Sequence, residues 1–117
     1  MLKWTKVDNI TLMSECMADG VFLVFSVYGP GPKGYYSEGE YYIKITVDGT
    51  LRFDMGMGKL EERAKHAAEN FLKLVLSGRN HKDISTWELE VGWEFYKRLS
   101  TPDFIPVVVD GRLVRKE

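Results

Sequence analysis

The sequence predicts an α+β fold in a single domain, residues 1–117: an antiparallel β-meander of three to five strands packed by an amphipathic helix. Three observations predict it. The first half alternates apolar and polar residues with a period of two, and its stretches are divided by Asp19-Gly20 and Asp48-Gly49, a pair that tight hairpin turns favour. Residues 59–77 then switch to the three- and four-residue spacing of a helix. The strands come in a run before the helix, whereas a parallel α/β sheet would alternate the two.

Taken in order, Trp4 to Val7 is a short first strand, closed by Asp8-Asn9. Residues 10–16 place Ile10, Leu12, Ser14 and Cys16 on one face and Thr11, Met13 and Glu15 on the other. Val21 to Tyr28 is apolar on both faces, with Ser26 its only polar residue, so it needs cover on two sides. That places it at the centre of the sheet or at a subunit contact. Tyr41 to Val47 alternates again, with Tyr41, Ile43, Ile45 and Val47 inward, and Asp48-Gly49 leads on to Leu51 and Phe53.

In the helix over 59–77, Leu60, Ala64, Ala67, Phe71 and Val75 share one face. Glu61 and Glu62 suit its first turn, Glu61–Lys65 and Glu69–Lys73 are i,i+4 pairs, and Gly78 stands at the C′ position. A second element over 84–100 fits two patterns. Trp87, Leu89, Val91, Trp93 and Phe95 alternate like a strand, while Ile84, Trp87, Val91, Phe95 and Leu99 line one helical stripe. Helix is favoured over strand because Ser85-x-x-Glu88 has capping-box spacing. A C-terminal β-hairpin over 105–115 turns at Asp110-Gly111.

Composition excludes several function classes. Sixteen Lys plus Arg against seventeen Asp plus Glu leave a net charge of −1, so no bulk field draws the chain to nucleic acid or to an anionic membrane. The lone Cys16 excludes an internal disulfide and a Cys-rich zinc site. No apolar run reaches the ~20 residues of a membrane span. The first residues, Met1-Leu-Lys-Trp-Thr-Lys-Val-Asp, lack the apolar core of a secretory signal, so the expected compartment is the cytoplasm.

Candidate chemistry is sparse. Glu62, His66 and His81 are too few and too irregularly spaced for zinc, so no metal and no cofactor is expected. Gly56-Met-Gly58-Lys59 leads into the helix, where a Gly-x-Gly strip could admit an anion; Gly56, Gly58 and Lys59 are its candidate residues. Cys16 lies on an apolar face with no neighbouring base and reads as an inert thiol. Nothing marks a nucleophile or a carboxylate pair, and no catalytic residue is assigned. The most unusual surface segment is Gly29-Pro-Gly-Pro-Lys-Gly-Tyr-Tyr36, in which Lys33, Tyr35 and Tyr36 are candidates for partner contact. Trp87 and Trp93 join them as exposed-ring candidates. Basic residues at Lys73, Arg79 and Lys82, with Arg112, Arg115 and Lys116, raise nucleic acid as a disfavoured partner.

A meander leading into Gly58-Lys-Leu-Glu-Glu-Arg-Ala-Lys-His-Ala-Ala-Glu69 resembles the build of small phage, prophage and mobile-cassette proteins of unassigned function, over roughly residues 10–77. The resemblance implies a soluble accessory protein and carries over no functional residue. Three Trp, six Tyr and six Phe supply more aromatic area than one small core hides. The expectation is a non-enzymatic interaction module that forms a homodimer, with a further protein partner open. The alternatives are a small-ligand or catalytic domain, with an aromatic-lined cavity between sheet and helix, and a nucleic-acid-binding protein.

Overall fold

A computed structural model describes residues 2–90, 105–109 and 112–116. Five strands, β1 (Thr5–Lys6), β2 (Thr11–Ala18), β3 (Val21–Tyr28), β4 (Tyr42–Val47) and β5 (Thr50–Gly56), precede α1 (Glu61–Leu76). They form one antiparallel sheet in the order β1-β2-β3-β4-β5, a plain meander. With α1 packed on this sheet, the fold is α+β. The two-sided apolar strand β3 is the middle strand, the first of the two places its composition allows.

Both predicted turns use positive φ at their two central residues: 49° and 80° at Asp19-Gly20, and 50° and 81° at Asp48-Gly49. The two turns belong to different hairpins, yet Asp48 joins its own to the start of β3. Its Oδ1 accepts the Phe22 N–H at 2.8 Å, and its own N–H donates to the Phe22 carbonyl at 2.8 Å.

The inner face of the sheet carries Leu23, Phe25 and Val27 from β3, Ile43, Ile45 and Val47 from β4, and Phe53 from β5, all buried. Helix α1 lays Ala64, Ala67, Ala68, Phe71 and Val75 into the same core. The small alanines bring the backbone close, and Phe71 fills the middle. Its ring meets Phe25 edge-on at 6.2 Å and Phe53 edge-on at 5.8 Å. Leu60, predicted on this apolar face, is instead the exposed residue before the first turn. The helix also buries His66, Asn70 and Leu74, and Asn70 reaches the segment that follows it. Asn70 Nδ2 donates to the Glu88 carbonyl at 2.8 Å there. His66, four residues from the exposed Glu62, is thus among the buried residues of the helix.

One irregularity sets the fold's far edge. The register of β4 against β5 shifts between Ile45 and Thr46: Ile45 pairs with Phe53 and Thr46 with Leu51, leaving Arg52 as the extra residue of a bulge. Leu51 and Phe53, two apart in sequence, consequently face opposite sides. The bulge turns Arg52 toward the chain after α1, where Nε donates to the His81 carbonyl at 3.1 Å. Its second amino group donates to those of Lys82 at 3.1 Å and Ile84 at 2.6 Å.

Of the second predicted element, residues 86–90 are helical. Ser85 and Glu88 close the capping box: the Ser85 N–H donates to Glu88 Oε2 at 2.7 Å, and the Glu88 N–H donates to Ser85 Oγ at 3.3 Å. The rest of that element, Trp93 included, lies outside the described residues. Beyond them the backbones of β6 (Ile105–Val109) and β7 (Arg112–Lys116) pair antiparallel as a two-stranded sheet.

Candidate functional site

Strand alternation that sends one set of residues under α1 sends the other to the opposite face of the sheet. On β2 that set is Thr11, Met13, Glu15 and Met17; on β3 it is Phe22, Val24, Ser26 and Tyr28; on β4 and β5 it is Tyr42, Lys44, Thr46, Leu51 and Asp54. No described helix lies on this side. The register sets Met17 beside Phe22, and Val24 beside Thr46 and then Leu51. Met17 is 66% exposed, Leu51 53% and Phe22 39%. This is an apolar strip across the turn end of the sheet, open to solvent.

At the other end of the same face, Tyr28 and Tyr42 stack with ring centres 5.2 Å apart and planes 9° from parallel. Tyr28 Oη donates to Asp54 Oδ1 at 2.5 Å. Burial, then the Asp54 carboxylate, raise the Tyr28 phenol well above its ordinary range, so it remains a neutral donor. Lys44 stands opposite Asp54 in the ladder. The face is thus apolar at one end, aromatic at the other and charged with both signs between them.

The Gly/Pro segment is a loop with its own internal bonding. Gly31 N–H donates to the Glu40 carbonyl, Gly39 N–H to the Gly31 carbonyl, and Glu38 N–H to that of Tyr35, at 2.9–3.0 Å. Gly31 is required, because a Cβ there would run into the Ser37 carbonyl. The loop holds Lys33, Tyr35 and Tyr36 out together, with Tyr36 100% exposed. Neither tyrosine packs back on the sheet.

The loop's return strand runs beside the second candidate segment. Tyr41 N–H donates to the Gly58 carbonyl and Met57 N–H to that of Tyr41, both at 2.8 Å. Gly56 lies against the Glu40 carboxylate: a Cβ on it would meet Glu40 Oε1. The space beside Gly56 is thus taken by the chain's own carboxylate, and Glu61 and Glu62 add negative charge at the start of α1. Lys59 is exposed and packs its stem beside Gly39.

Trp87 is exposed on the helical segment after α1. Its neighbour Glu88 joins Asn70 and Arg79, toward the C-terminal half of α1. The loop contacts Lys59, before α1 begins. Most of a helix about 24 Å long therefore separates Trp87 from Lys33, Tyr35 and Tyr36. Arg79, one of the basic candidates, is engaged by Glu88 at 2.6 Å.

No protein-family model matches the chain, and no curated protein or solved structure does. Among the described residues no three His, Cys, Asp or Glu side chains converge as a metal site. No described helix is long and apolar enough to cross a membrane. Between sheet and helix, where an aromatic-lined cavity was the alternative expectation, the rings of Phe25, Phe53 and Phe71 occupy the middle of the interface, and His66 and Asp54 lie on opposite sides of the sheet. Cys16 is half-buried, and burial followed by the Glu69 charge pushes its thiol up, away from the reactive thiolate.

The outer strip of Met17, Phe22 and Leu51 is the site that motif reading misses, since no motif marks it. The signal that finds it is the two-sided apolar pattern of Val21 to Tyr28. One side is explained by α1, and the other is left over.

Proposed function

We propose that this chain is a non-enzymatic protein-interaction module that works as a homodimer through the outer face of its sheet. One observation carries the reading: Met17 and Phe22 pair across β2 and β3, and Val24 and Leu51 flank Thr46 in the next row, on a sheet face that no described element covers. Four strands at about 4.8 Å spacing and about seven residues long make a face of about 19 by 24 Å, with the two-residue β1 at one edge. Two such faces bury on the order of 900 Å², close to the size of the smallest specific contacts. A second copy is the occupant that fits. Lys44 and Asp54 sit side by side, so two faces related by a two-fold axis can set each lysine toward the other's carboxylate. A net charge of −1 offers little self-repulsion.

Light scattering across a concentration series tests it. The wild-type chain is expected at twice its monomer mass. Phe22→Glu or Leu51→Glu, both at exposed positions, weakens association by roughly 10–100-fold while leaving the far-ultraviolet spectrum unchanged. A wild-type mass of 13.5 kDa at every concentration up to the millimolar range overturns the proposal.

The loop tip favours a second contact, with a different protein. Lys33, Tyr35 and Tyr36 stand clear of the domain on a loop fixed by its own hydrogen bonds, so ordering costs little on binding. Such a protein would bind the wild type and lose affinity for Tyr35→Ala and Tyr36→Ala, with the dimer mass unaltered.

A further inference from the structure

The two ends of the outer face differ in chemistry. The end at the Asp19-Gly20 and Asp48-Gly49 turns carries Met17, Phe22, Val24 and Leu51, and the end at the 29–41 loop carries the stacked Tyr28 and Tyr42. Lys44 and Asp54 share a row between them.

That order restricts how two copies can meet face to face. Facing sheets pack about 10 Å apart, with their strands nearly aligned or nearly perpendicular. In an aligned pair of identical faces the two-fold axis runs either along the strands or across them. An axis across the strands reverses the rows, so each apolar strip meets the other copy's tyrosines, whose Tyr28 hydroxyl is bonded to Asp54. A perpendicular crossing lays one strip over only a corner of the other. An axis along the strands keeps the rows in order: strip meets strip, the Lys44 and Asp54 rows face each other, and tyrosines meet tyrosines. Only this direction sets apolar area fully on apolar area and charge opposite charge.

The same axis places the loops. Strands β2 to β5 overlap most fully when the axis lies between β3 and β4, the middle pair of the four. The 29–41 loop connects just that pair. Both loops therefore leave the dimer at one end, with their bases about 10 Å apart across the axis. Each holds Lys33, Tyr35 and Tyr36 out to solvent, and Lys33 makes no ion pair among the described residues.

We infer that the dimer carries one composite contact site at this end, built from both loops, with Lys33, Tyr35 and Tyr36 of each copy arranged about a two-fold axis. It fits a two-fold-symmetric protein that sets an acidic group against each lysine. Such a partner engages both halves at once, and its second contact forms at the high effective concentration of a tethered site. A single copy offers only half of the surface. The composite site rests on the outer-face dimer proposed above and adds the direction of its axis.

Distances across the dimer test it. Tyr36→Cys in a Cys16→Ala chain puts one spin label on each copy, at a fully exposed position. Pulsed electron resonance should give a label separation below about 40 Å, because the loop bases face each other across the sheet spacing. An axis across the strands instead adds the strand length of about 24 Å and points the loops in opposite directions, which takes the labels beyond about 40 Å. In dimers of one isotope-labelled and one unlabelled copy, filtered nuclear Overhauser contacts should join Phe22, Val24 and Leu51 of one copy to the same strip of the other. Labels beyond about 40 Å, or contacts from the strip to the other copy's Tyr28 and Tyr42, overturn the composite site and leave the dimer standing. A mass that stays at 13.5 kDa removes the dimer, and the composite site with it.

Discussion

Arg52→Ala is the substitution most informative about how the fold is closed. Arg52 is the bulge residue of β5, half-buried, and its guanidinium spans three carbonyls, those of His81, Lys82 and Ile84. It also lies 4.3 Å from the centre of the Phe53 ring. A hydrogen bond from a charged group contributes about 1.5–3 kcal/mol net, and the three share one side chain, so they do not add fully. The cation–π contact adds roughly 0.5–1 kcal/mol. Taking the low end for a half-exposed group, Arg52→Ala should cost about 3 kcal/mol, a large share of a small domain's stability. Arg52→Lys keeps the charge but loses the planar fork, and should recover less than half of that. Urea unfolding followed by circular dichroism measures both, and amide exchange over 81–84 should rise in each variant. A loss below about 1 kcal/mol for Arg52→Ala, or a lysine as good as the arginine, would refute the view that the bulge exists to aim this side chain.

Other perturbations probe the remaining joints. Burial raises the Glu88 carboxyl, but the Ser85 N–H and the Arg79 guanidinium outweigh it and hold the group below the usual carboxylate range. Its contribution is therefore present above about pH 4.3 and lost as pH falls through the lowered value. Glu88→Gln should flatten that part of the stability–pH curve, read from urea midpoints between pH 3 and pH 7. The Tyr28 phenol is raised by burial and by Asp54, so its contribution is whole below about pH 10 and declines as pH climbs toward the folded value. Asp54→Asn should bring the Tyr28 titration down, visible in the ultraviolet band of the phenolate. Gly31→Ala should disrupt the 29–41 loop, since the new methyl group meets the Ser37 carbonyl. Amide exchange within the loop should rise sharply while the sheet core keeps its protection.

What was legible in the sequence was what short-range chemistry decides. Asp19-Gly20 and Asp48-Gly49 announce turns because those backbones need positive φ, and the structure has it at all four residues. The helix over 59–77 is visible in its alanine and phenylalanine spacing and is found as Glu61–Leu76. The Ser85–Glu88 spacing announces a cap, and the cap forms. The β5 bulge was not legible: Leu51-Arg52-Phe53 contains no glycine and no break in pattern, and what displaces Arg52 is a set of carbonyls thirty residues away. Nor was the burial of His66 and Asn70 on α1, because both are polar, and the Glu88 carbonyl that makes the burial of Asn70 tolerable lies eighteen residues on.

The candidate site divides the same way. Lys33, Tyr35 and Tyr36 were legible because proline and glycine mark a loop wherever it goes, and the fold puts them at a tip. The outer strip was legible only by subtraction. Of the Phe, Tyr and Trp rings among the described residues, Phe25, Phe53 and Phe71 alone are buried, while Phe22, Tyr35, Tyr36 and Trp87 are exposed. A single helix can cover one side of a five-stranded sheet, and α1 spends its apolar face on Phe25, Ile43, Ile45 and their neighbours. The apolar residues on the far side of β3 then have no intramolecular use among the described residues. Each of Met17, Phe22, Val24 and Leu51 alone is an ordinary exposed side chain. Their placement in two neighbouring rows of one face, with Thr46 between Val24 and Leu51, is what turns them into a contact surface, and the place of Leu51 in it depends on the Arg52 bulge. Were β5 to run without it, Leu51 would share the inward face of Phe53, and the strip would lose its outermost member.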